Sequence, residues 1–280
     1  MEDVTLSIVH YRQPELLDRC LSQLESLSLP ANWETILIDN SPEVGAGDMV
    51  QRRFPWVTFI PAESNLGFGG GHNLAYARSQ ADVFFVLNPD VMVLPGAIET
   101  LVRVLAEHPD AAIVGPRLLN PDRTPQHSAR RFYDWRTVFW RRLPLPGREK
   151  VSDYHLMKDR DLSTTQPIEW LLGAALAIRR SAFDRSDLFD PRYSLYFEDV
   201  DLCYFAQRAG WQVLYCPEAT MIHDHQRASA GKWFNSAVRR HFMSWVKFYF
   251  KTKTYRVPDG DRRPQCENAR PEACTGQCES

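Results

Sequence analysis

The feature that most constrains the fold is a regular alternation of short apolar runs and amphipathic segments through the first 115 residues. Apolar runs that predict buried strands lie at residues 5–10, 35–38, 57–60 and 83–87, and helical spacing begins at residue 14 and recurs over 73–80 and 96–107. Such alternation is typical of proteins in which helices cover a parallel sheet. We therefore predict an α/β, Rossmann-like fold with a mostly parallel sheet and helices on both faces.

The alternation weakens after residue 120, and this sets the expected domain organisation. Residues 120–167 are rich in proline, arginine and aromatic residues and predict a long functional loop region. Strand-like runs return at 170–178 and 213–215, on either side of a short helix at 199–209. We expect a main domain over residues 1–230, a helical segment over 231–257 and a disordered tail over 258–280, where aliphatic residues are scarce.

Composition and charge exclude several classes of protein. The formal net charge is −2, so no overall positive field favours nucleic acid as a partner. No apolar run reaches the ~18 residues of a transmembrane helix, and the first residues lack the pattern of a secretory signal. We expect a cytoplasmic protein whose only contact with a membrane would be peripheral.

Polar residues follow the predicted strands. Asp39, Asn65 and Asp90 all come after apolar runs. Because the carboxyl ends of parallel strands meet at one edge of a sheet, we expect these residues to converge on one crevice. In Asn88-Pro89-Asp90 the carboxylate can hold a divalent cation against a diphosphate, or the segment can be a turn that caps the next element.

A glycine-rich segment, 65–73, reads Asn65-Leu66-Gly67-Phe68-Gly69-Gly70-Gly71-His72-Asn73 and leads into a predicted helix. Its glycines would let the backbone approach a ligand closely, and the alternative is a flexible turn. The spacing matches neither a dinucleotide-binding fingerprint nor a P-loop.

Two further segments carry groups suited to catalysis. Glu198, Asp199 and Asp201 crowd three carboxylates at the start of a predicted helix, where they could supply a general base or only cap the helix. His223, in His223-Asp224-His225, could ligate a cation through its neutral imidazole or be an ordinary surface or core histidine.

Taken in order, these segments resemble glycosyltransferase family 2, and in particular its bacterial rhamnosyltransferase-like branch. The resemblance covers roughly residues 4–250 and includes Asp39, the glycine-rich segment, Asn88-Pro89-Asp90, Trp170-Leu171-Leu172-Gly173-Ala174, Phe197-Glu198-Asp199-Val200-Asp201-Leu202 and His223. It implies an inverting enzyme with the nucleotide-sugar-binding GT-A fold.

The resemblance also implies roles for individual residues. Asp199 would be the catalytic base, and Asp90 and His223 would hold Mg²⁺ or Mn²⁺. The donor-binding residues would be Asp39, Asn65, Gly67, Gly69, Gly70, Asn73 and Asn88, and the acceptor-binding residues would be Trp170, Gly173, Ala174 and Glu198.

Two positions depart from the family pattern. Asn88 stands where many relatives have an aspartate, so one ligand of the metal motif is neutral. His10-Tyr11-Arg12 stands where an asparagine-rich sequence is commoner.

The function implied is transfer of a hexose or deoxyhexose, such as rhamnose from dTDP-rhamnose, to a glycan or lipid-linked acceptor in cell-surface polysaccharide synthesis. One alternative is a nucleotidyltransferase, which would want a basic side chain in the glycine-rich segment, and that segment offers only His72. A non-catalytic glycan-binding relative is the other alternative. It would be expected to lack Asp90 or Asp199, and both are present.

Two basic-aromatic stretches, 130–142 and 239–251, have three interpretations. They could attach the protein peripherally to the inner face of a membrane, because aromatic rings and cations together suit an interface of anionic lipid. The second stretch could instead be a helix packed on the main domain through Phe242, Trp245, Val246 and Tyr249 with its lysines solvated, or a subunit contact in a homo-oligomer.

Overall fold

The computed structural model describes residues 2–133, 137, 146–183, 185–193, 196–224, 236–254 and 262–263. The strands are β1 (Val4–His10), β2 (Trp33–Asp39), β3 (Val57–Pro61), β4 (Val83–Leu87), β5 (Val91–Val93), β6 (Ala111–Leu119), β7 (Pro125–Gln126), β8 (Ala129–Arg130), β9 (Gln166–Pro167), β10 (Trp170–Leu171), β11 (Ala175–Arg179) and β12 (Gln212–His223). The helices are α1 (Pro14–Ser26), α2 (Ala46–Arg53), α3 (Gly67–Tyr76), α4 (Ala97–Glu107), α5 (Arg148–His155), α6 (Glu198–Arg208) and α7 (Ser236–Thr254).

One large sheet runs through the molecule in the order β3-β2-β1-β4-β11-β6-β12-β5. The first four strands in this order are parallel, as the alternation predicts. Among the described strands on this path, β6 and β12 also run in this direction and β11 and β5 run against it, so the mostly parallel sheet is confirmed, with antiparallel strands within it and at its edge. The sequence did not predict the reversed direction of β11, because a strand buried on both faces is an apolar run in either orientation.

Helices cover both faces of the sheet, as expected. Alternate residues of the central strands point to opposite sides, so Phe85 joins the core beneath α1, α2 and α4, whereas Phe84 joins the core beneath α3 and α6. The α/β class and the layered arrangement predicted from the sequence are therefore confirmed.

The glycine-rich segment is helical, whereas the sequence predicted a loop with a helix from residue 73. Helix α3 begins at Gly67. A Cβ atom on Gly71 would lie 2.7 Å from Cγ2 of Val9, and one on Gly69 would lie 3.1 Å from Cβ of Phe189. These contacts let α3 pack directly on β1, and packing at this distance outweighs the low helix propensity of glycine.

Two other predicted strands have different bounds. The run at 170–178 is divided into β10 and β11, because β10 leaves the large sheet to pair with β8. The apolar runs on either side of Pro217 form one strand, β12, whose register shifts between Cys216 and Thr220.

Helix α7 occupies most of the predicted helical segment and packs on the main domain. Phe248 is buried against Phe197 and Tyr204, with ring centroids 5.5 and 5.3 Å away. Lys251 is buried as well, and its Nζ atom lies 2.6 Å from Oδ2 of Asp201 and 2.7 Å from Oδ2 of Asp190.

These contacts differ from the packed-helix interpretation in detail. Phe242 and Tyr249, which were expected to pack, are exposed, whereas the buried Lys251 was expected to be solvated. The difference arises because the carboxylates of Asp190 and Asp201 lie in the main domain at this position, and a buried charge must be paired with one of opposite sign. None of the described helices is both long and apolar enough to span a bilayer. Of the predicted tail, only residues 262–263 lie within the described part, and there the Arg263 amide donates to the Ala209 carbonyl.

Candidate active site

The ends of β1, β2 and β4 meet at one edge of the sheet, as expected for parallel strands. One part of the site is Gly173-Ala174, in the short link that precedes β11. In this link the Ala174 carbonyl accepts a hydrogen bond from the Asn88 amide at 2.9 Å, and the Gly173 amide donates to Oδ2 of Asp199 at 2.9 Å. One dipeptide, Gly173-Ala174, therefore connects the predicted metal segment to the predicted base.

Asp39 is fully buried at the end of β2. Its Oδ1 atom lies 2.9 Å from Nδ1 of His10 and accepts from the Ser41 amide at 2.9 Å. Burial works against ionisation, but these hydrogen bonds outweigh it and hold the pKa of Asp39 below its ordinary value. Its Oδ2 atom is buried and accepts no hydrogen bond from the described residues. The site thus offers an ionised oxygen to a ligand that can donate an N–H or O–H group.

The tautomer of His10 follows from its two contacts. Nε2 accepts a hydrogen bond from the Gln13 amide at 3.1 Å, so Nδ1 carries the proton and donates to Asp39. His10, which departs from the family pattern, therefore orients the Asp39 carboxylate.

Asn40 links the end of β2 to the start of α3, and it is not among the site residues predicted from the sequence. Its Nδ2 atom donates to the Gly67 carbonyl at 2.9 Å, and its Oδ1 atom accepts from the Leu66 amide at 3.3 Å. Asn65 is exposed and accepts from the Gly67 amide at 2.8 Å, which shapes the turn before α3. The adjacency of Asn40 to Asp39 was the available signal.

The remaining donor-binding candidates lie deeper in the fold. Both polar atoms of the Asn73 side chain bond the backbone of Phe189, at 2.7 and 2.8 Å, so this residue anchors the chain before α6. Gly69 lies against Glu198, whose Cγ atom would be 3.5 Å from an added Cβ, and Gly70 lies against Leu66. The absence of a side chain at Gly69 lets α3 lie close to α6.

Asp90 and His223 are brought together by the antiparallel pairing of β5 with β12. Nε2 of His223 lies 3.4 Å from Oδ1 of Asp90, and this oxygen is buried without a hydrogen bond from the described residues. Within the described part of the chain no group of three or more His, Cys, Asp or Glu side chains could hold a metal. These two residues alone leave most of a cation's coordination shell open to a substrate.

Asp199 is half-buried at the start of α6. Its carboxylate accepts from the amides of Gly173 and Val200, each at 2.9 Å. Burial raises the pKa of Asp199, while these amides and the charge of Arg130 oppose the shift. A side chain at residue 173 would crowd the carboxylate, because its Cβ would lie 3.1 Å from Cβ of Asp199.

The turn before α6 is strained. Tyr196 and Phe197 both have positive φ angles, 63° and 74°, which non-glycine residues rarely adopt. Phe197 is fully buried among aromatic rings that include Phe248 of α7. This packing holds the turn that leads into the acidic residues at the start of α6.

The three carboxylates of α6 occupy three different environments. Both oxygens of Asp201 are engaged, one by the Tyr193 hydroxyl at 2.7 Å and the other by Lys251. Glu198 is only 4% exposed, and burial, with the nearby charges of Asp199 and Asp201, raises its pKa to about 7. Asp201 is therefore structural, whereas Asp199 is bonded only to the backbone amides of Gly173 and Val200 among the hydrogen bonds of the described residues.

Trp170 and Arg130 form the outer part of the predicted acceptor region. Trp170 is buried and its Nε1 atom donates to the Arg131 carbonyl at 2.8 Å, so this hydrogen bond holds the indole ring in place. The guanidinium of Arg130 lies over the indole ring at 5.2 Å and acts electrostatically on Asp199. Arg130 was noted only as part of a basic-aromatic stretch.

The fold and this arrangement define a glycosyltransferase of the α/β, GT-A type. Residues 5–185 match the family described as Glycosyl transferase family 2. The chain belongs to this family, which sets aside the nucleotidyltransferase alternative.

Relatives of known function include rhamnosyltransferases. The chain is 31% identical over 259 residues to the N-acetylglucosaminyl-diphospho-decaprenol L-rhamnosyltransferase of Mycobacterium tuberculosis, and the match covers 86% of this chain and 81% of the relative. It is 27% identical over 210 residues to the rhamnosyltransferase WbbL of Escherichia coli K12, covering 70% of this chain and 75% of the relative.

Solved structures support the fold. GalNAc-T7 in complex with UDP, GalNAc and Mn²⁺ superposes with a TM-score of 0.63 at 17% identity, covering 91% of this chain and 51% of that protein. The mannosyltransferase PcManGT from Pyrobaculum calidifontis, with GDP-mannose and Mn²⁺, gives a TM-score of 0.59 at 14% identity, covering 92% and 66%. The chain spans about half the length of the first of these and two thirds of the second.

We predict that Glu198→Gln stabilises the protein increasingly as pH rises. In the unfolded chain the carboxyl ionises near 4.5, and in the folded protein near 7, so its contribution to stability is full below about 4.5 and is lost as pH rises through about 7. Glutamine keeps the shape without the buried charge. At about 1.4 kcal/mol per pKa unit, the difference in free energy of unfolding should grow by a few kcal/mol across this window.

Urea unfolding at a series of pH values measures this difference. The exposed Glu63→Gln is the matched control and should show no such trend. A stability difference between Glu198→Gln and wild type that stays constant with pH would contradict the assignment of a buried, proton-holding Glu198.

Proposed function

We propose that the chain is an inverting, metal-dependent rhamnosyltransferase that transfers rhamnose from dTDP-rhamnose to a lipid-linked glycan in cell-surface polysaccharide synthesis. The observation that carries this proposal is the Gly173-Ala174 link, which bonds the predicted base on one side and the Asn88-Pro89-Asp90 segment on the other. The proposed base and the proposed diphosphate-binding segment are thus both bonded to one dipeptide. The rhamnosyltransferase activities named for the bacterial relatives support the choice of sugar.

The donor would enter at the ends of β1 and β2. The buried Oδ2 atom of Asp39 would accept a hydrogen bond from the N–H group of a pyrimidine base such as thymine, because an ionised, desolvated acceptor favours a donor partner. His10 and Ser41 keep that carboxylate ionised and oriented. Helix α3 and Asn88 would line the path of the diphosphate toward Asp90.

Asp90 and His223 would hold Mg²⁺ or Mn²⁺. A buried carboxylate oxygen without a hydrogen bond, facing an imidazole nitrogen, is a donor pair that suits such an ion. The ion would neutralise the charge that develops on the departing diphosphate. The Mn²⁺ ions in the complexes of GalNAc-T7 and PcManGT support this reading.

Asp199 would act on the acceptor side. It accepts the proton of the acceptor hydroxyl while that oxygen bonds to the anomeric carbon, and the bond from this carbon to the diphosphate breaks with its electron pair on the leaving oxygen. Attack from the face opposite the diphosphate inverts the configuration. The amides of Gly173 and Val200 fix the carboxylate, and its raised pKa makes it a stronger base. Glu198, Ala174 and Arg130 would border the acceptor.

We predict that Asp199→Asn lowers kcat by about 10²–10⁴-fold while nucleotide binding is retained, because an amide preserves shape but cannot accept the proton. Turnover is measured with dTDP-rhamnose and a lipid-diphosphate-linked sugar, and dTDP binding by calorimetry serves as the control for folding. Turnover above about a tenth of wild type would exclude Asp199 as the base.

We predict that activity requires a divalent cation and that Asp90→Ala and His223→Ala each weaken binding of dTDP with Mn²⁺. Removing either ligand leaves the cation with fewer oxygen or nitrogen donors opposite the diphosphate. His108→Ala, at an exposed histidine, is the matched control. Full activity in excess chelator would rule out the metal assignment.

We also propose that α7 attaches the protein to the inner face of an anionic membrane, where a lipid-linked acceptor is held. The face of α7 opposite Phe248 exposes Phe242, Met243, Tyr249 and Phe250, with Phe250 63% exposed. Arg239 and Lys253, also exposed, stand at the two ends of this apolar face. Rings and cations at such positions suit the headgroup region, where each basic residue contributes about 1 kcal/mol. Much of the first basic-aromatic stretch lies outside the described residues.

We predict that the protein sediments with anionic liposomes at low salt and less at high salt, because ions screen the attraction. Phe242→Asp combined with Phe250→Asp should abolish sedimentation, and Val44→Asp, at an exposed apolar residue elsewhere, should not. Absence of sedimentation at low salt would refute the proposal. A dimer dissociated by the double variant would assign the face to a homo-oligomer instead.

A further inference from the structure

A surface hairpin between β6 and β7 reaches the candidate metal site. The Asn120 amide donates to the Thr124 carbonyl and the Arg123 amide donates to the Asn120 carbonyl, each at 2.8 Å. This turn sets Gln126 opposite Leu118, on the strand that also pairs with β12. In this position Oε1 of Gln126 lies 2.7 Å from Nδ1 of His223.

Side chains of the hairpin form a chain of hydrogen bonds whose direction starts at Asp122. The side-chain and backbone hydrogen bonds from Thr124 hold the pKa of Asp122 below its ordinary value, so its carboxylate is ionised and only accepts. The Thr124 hydroxyl therefore donates to Asp122, at 2.6 Å, and its oxygen accepts from Nδ2 of Asn120 at 2.9 Å.

The same direction continues to the histidine. Because Nδ2 of Asn120 is the donor to Thr124, its Oδ1 atom faces Gln126 and accepts from Nε2 of that residue at 3.1 Å. The Gln126 amide is thereby oriented with Oε1 toward His223. An amide oxygen only accepts, so Nδ1 of His223 must carry the proton.

This tautomer leaves the lone pair of Nε2 on the side of Asp90. Nε2 lies 3.4 Å from the buried Oδ1 atom of Asp90, and the two atoms are then both acceptors. Two acceptors at this separation repel each other unless a metal ion or a proton lies between them. In the neutral imidazole the hairpin thus directs the lone pair of Nε2, which is the atom that binds a metal, toward Asp90.

We propose that Gln126 is a positioning residue that fixes His223 in the Nδ1–H tautomer, and that Asn120, Thr124 and Asp122 set the orientation of its amide. The inference rests on the proposed role of Asp90 and His223 in metal binding. It extends the site to a hairpin at the start of the predicted loop region 120–167, none of whose residues is among the site residues predicted from the sequence.

The first test reads the tautomer directly and needs no metal. In the metal-free protein, ¹⁵N-detected histidine spectra at a pH where His223 is neutral should place the proton on Nδ1. Gln126→Glu, which keeps an accepting oxygen, should preserve this tautomer. Gln126→Leu, which cannot accept, should populate the Nε2–H form, since Nε2 can then donate to Asp90.

The second test measures Mn²⁺ affinity in the presence of dTDP by electron paramagnetic resonance. Gln126→Leu should weaken binding about 10–100-fold, the range typical of losing the outer partner of a histidine ligand, and Gln126→Glu should stay near wild type. Gln166→Leu, at another partly exposed glutamine on a short strand, is the matched control and should bind as wild type does.

The outcomes separate this inference from the proposed function. If His223→Ala binds Mn²⁺ as well as wild type, the metal assignment itself fails. If His223→Ala weakens binding but Gln126→Leu retains both the Nδ1–H tautomer and wild-type affinity, the role of Gln126 is overturned. Loss of the Nδ1–H tautomer in Gln126→Glu would overturn it equally, even if Gln126→Leu did not fold.

Discussion

The hydrogen bond from the Gly173 amide to the Asp199 carboxylate joins the central sheet to the acidic helix α6. The carbonyl of its neighbour Ala174 accepts a hydrogen bond from the Asn88 amide, so the same link also holds the segment that contains Asp90. Glycine at residue 173 allows this close approach, because a Cβ atom there would lie 3.1 Å from Cβ of Asp199 and the carboxylate would have to shift. The geometry of the whole site therefore depends on one backbone amide that comes close to a carboxylate without a side chain between them.

Three carboxylates in one helical turn would repel each other in a uniform environment. The structure gives each a different solution. Asp201 is paired with Lys251 and Tyr193, Asp199 is held by backbone amides, and Glu198 is buried so that it keeps a proton near neutral pH. Lys251, whose positive charge lies beside Asp201, belongs to α7. This helix therefore contributes to the electrostatics of the site without entering it. The same helix, through Phe248, covers the strained turn at Phe197, a conformation that costs on the order of 1–3 kcal/mol per residue.

The proposed metal ligands, Asp90 and His223, illustrate how distant segments complete a site. Asp90 follows β4 and His223 ends β12, and the antiparallel pairing of β5 with β12 brings them together. The hairpin at Gln126 then reaches His223 from β6. Each residue alone is an ordinary polar group, and the chemistry arises from which partner each one meets.

The sequence by itself determined the layered α/β fold, because burial on the two faces of a sheet imposes an apolar period that can be read locally. It also indicated the chemical types at the strand ends, since Asp39, Asp90 and Asp199 each follow a recognisable run, and the order of these segments indicated the family. Tertiary structure decided the rest. The antiparallel direction of β11 and the helical state of the glycine-rich segment follow from packing between residues far apart in the chain, such as Gly71 with Val9. Which carboxylate is paired with a cation, and which acceptor lies against Nδ1 of His223, depend on Lys251 and Gln126, whose contacts span 50 and 97 residues. Such contacts cannot be predicted from a local pattern, because a hydrogen bond or ion pair depends on both partners and the two partners are far apart in the sequence.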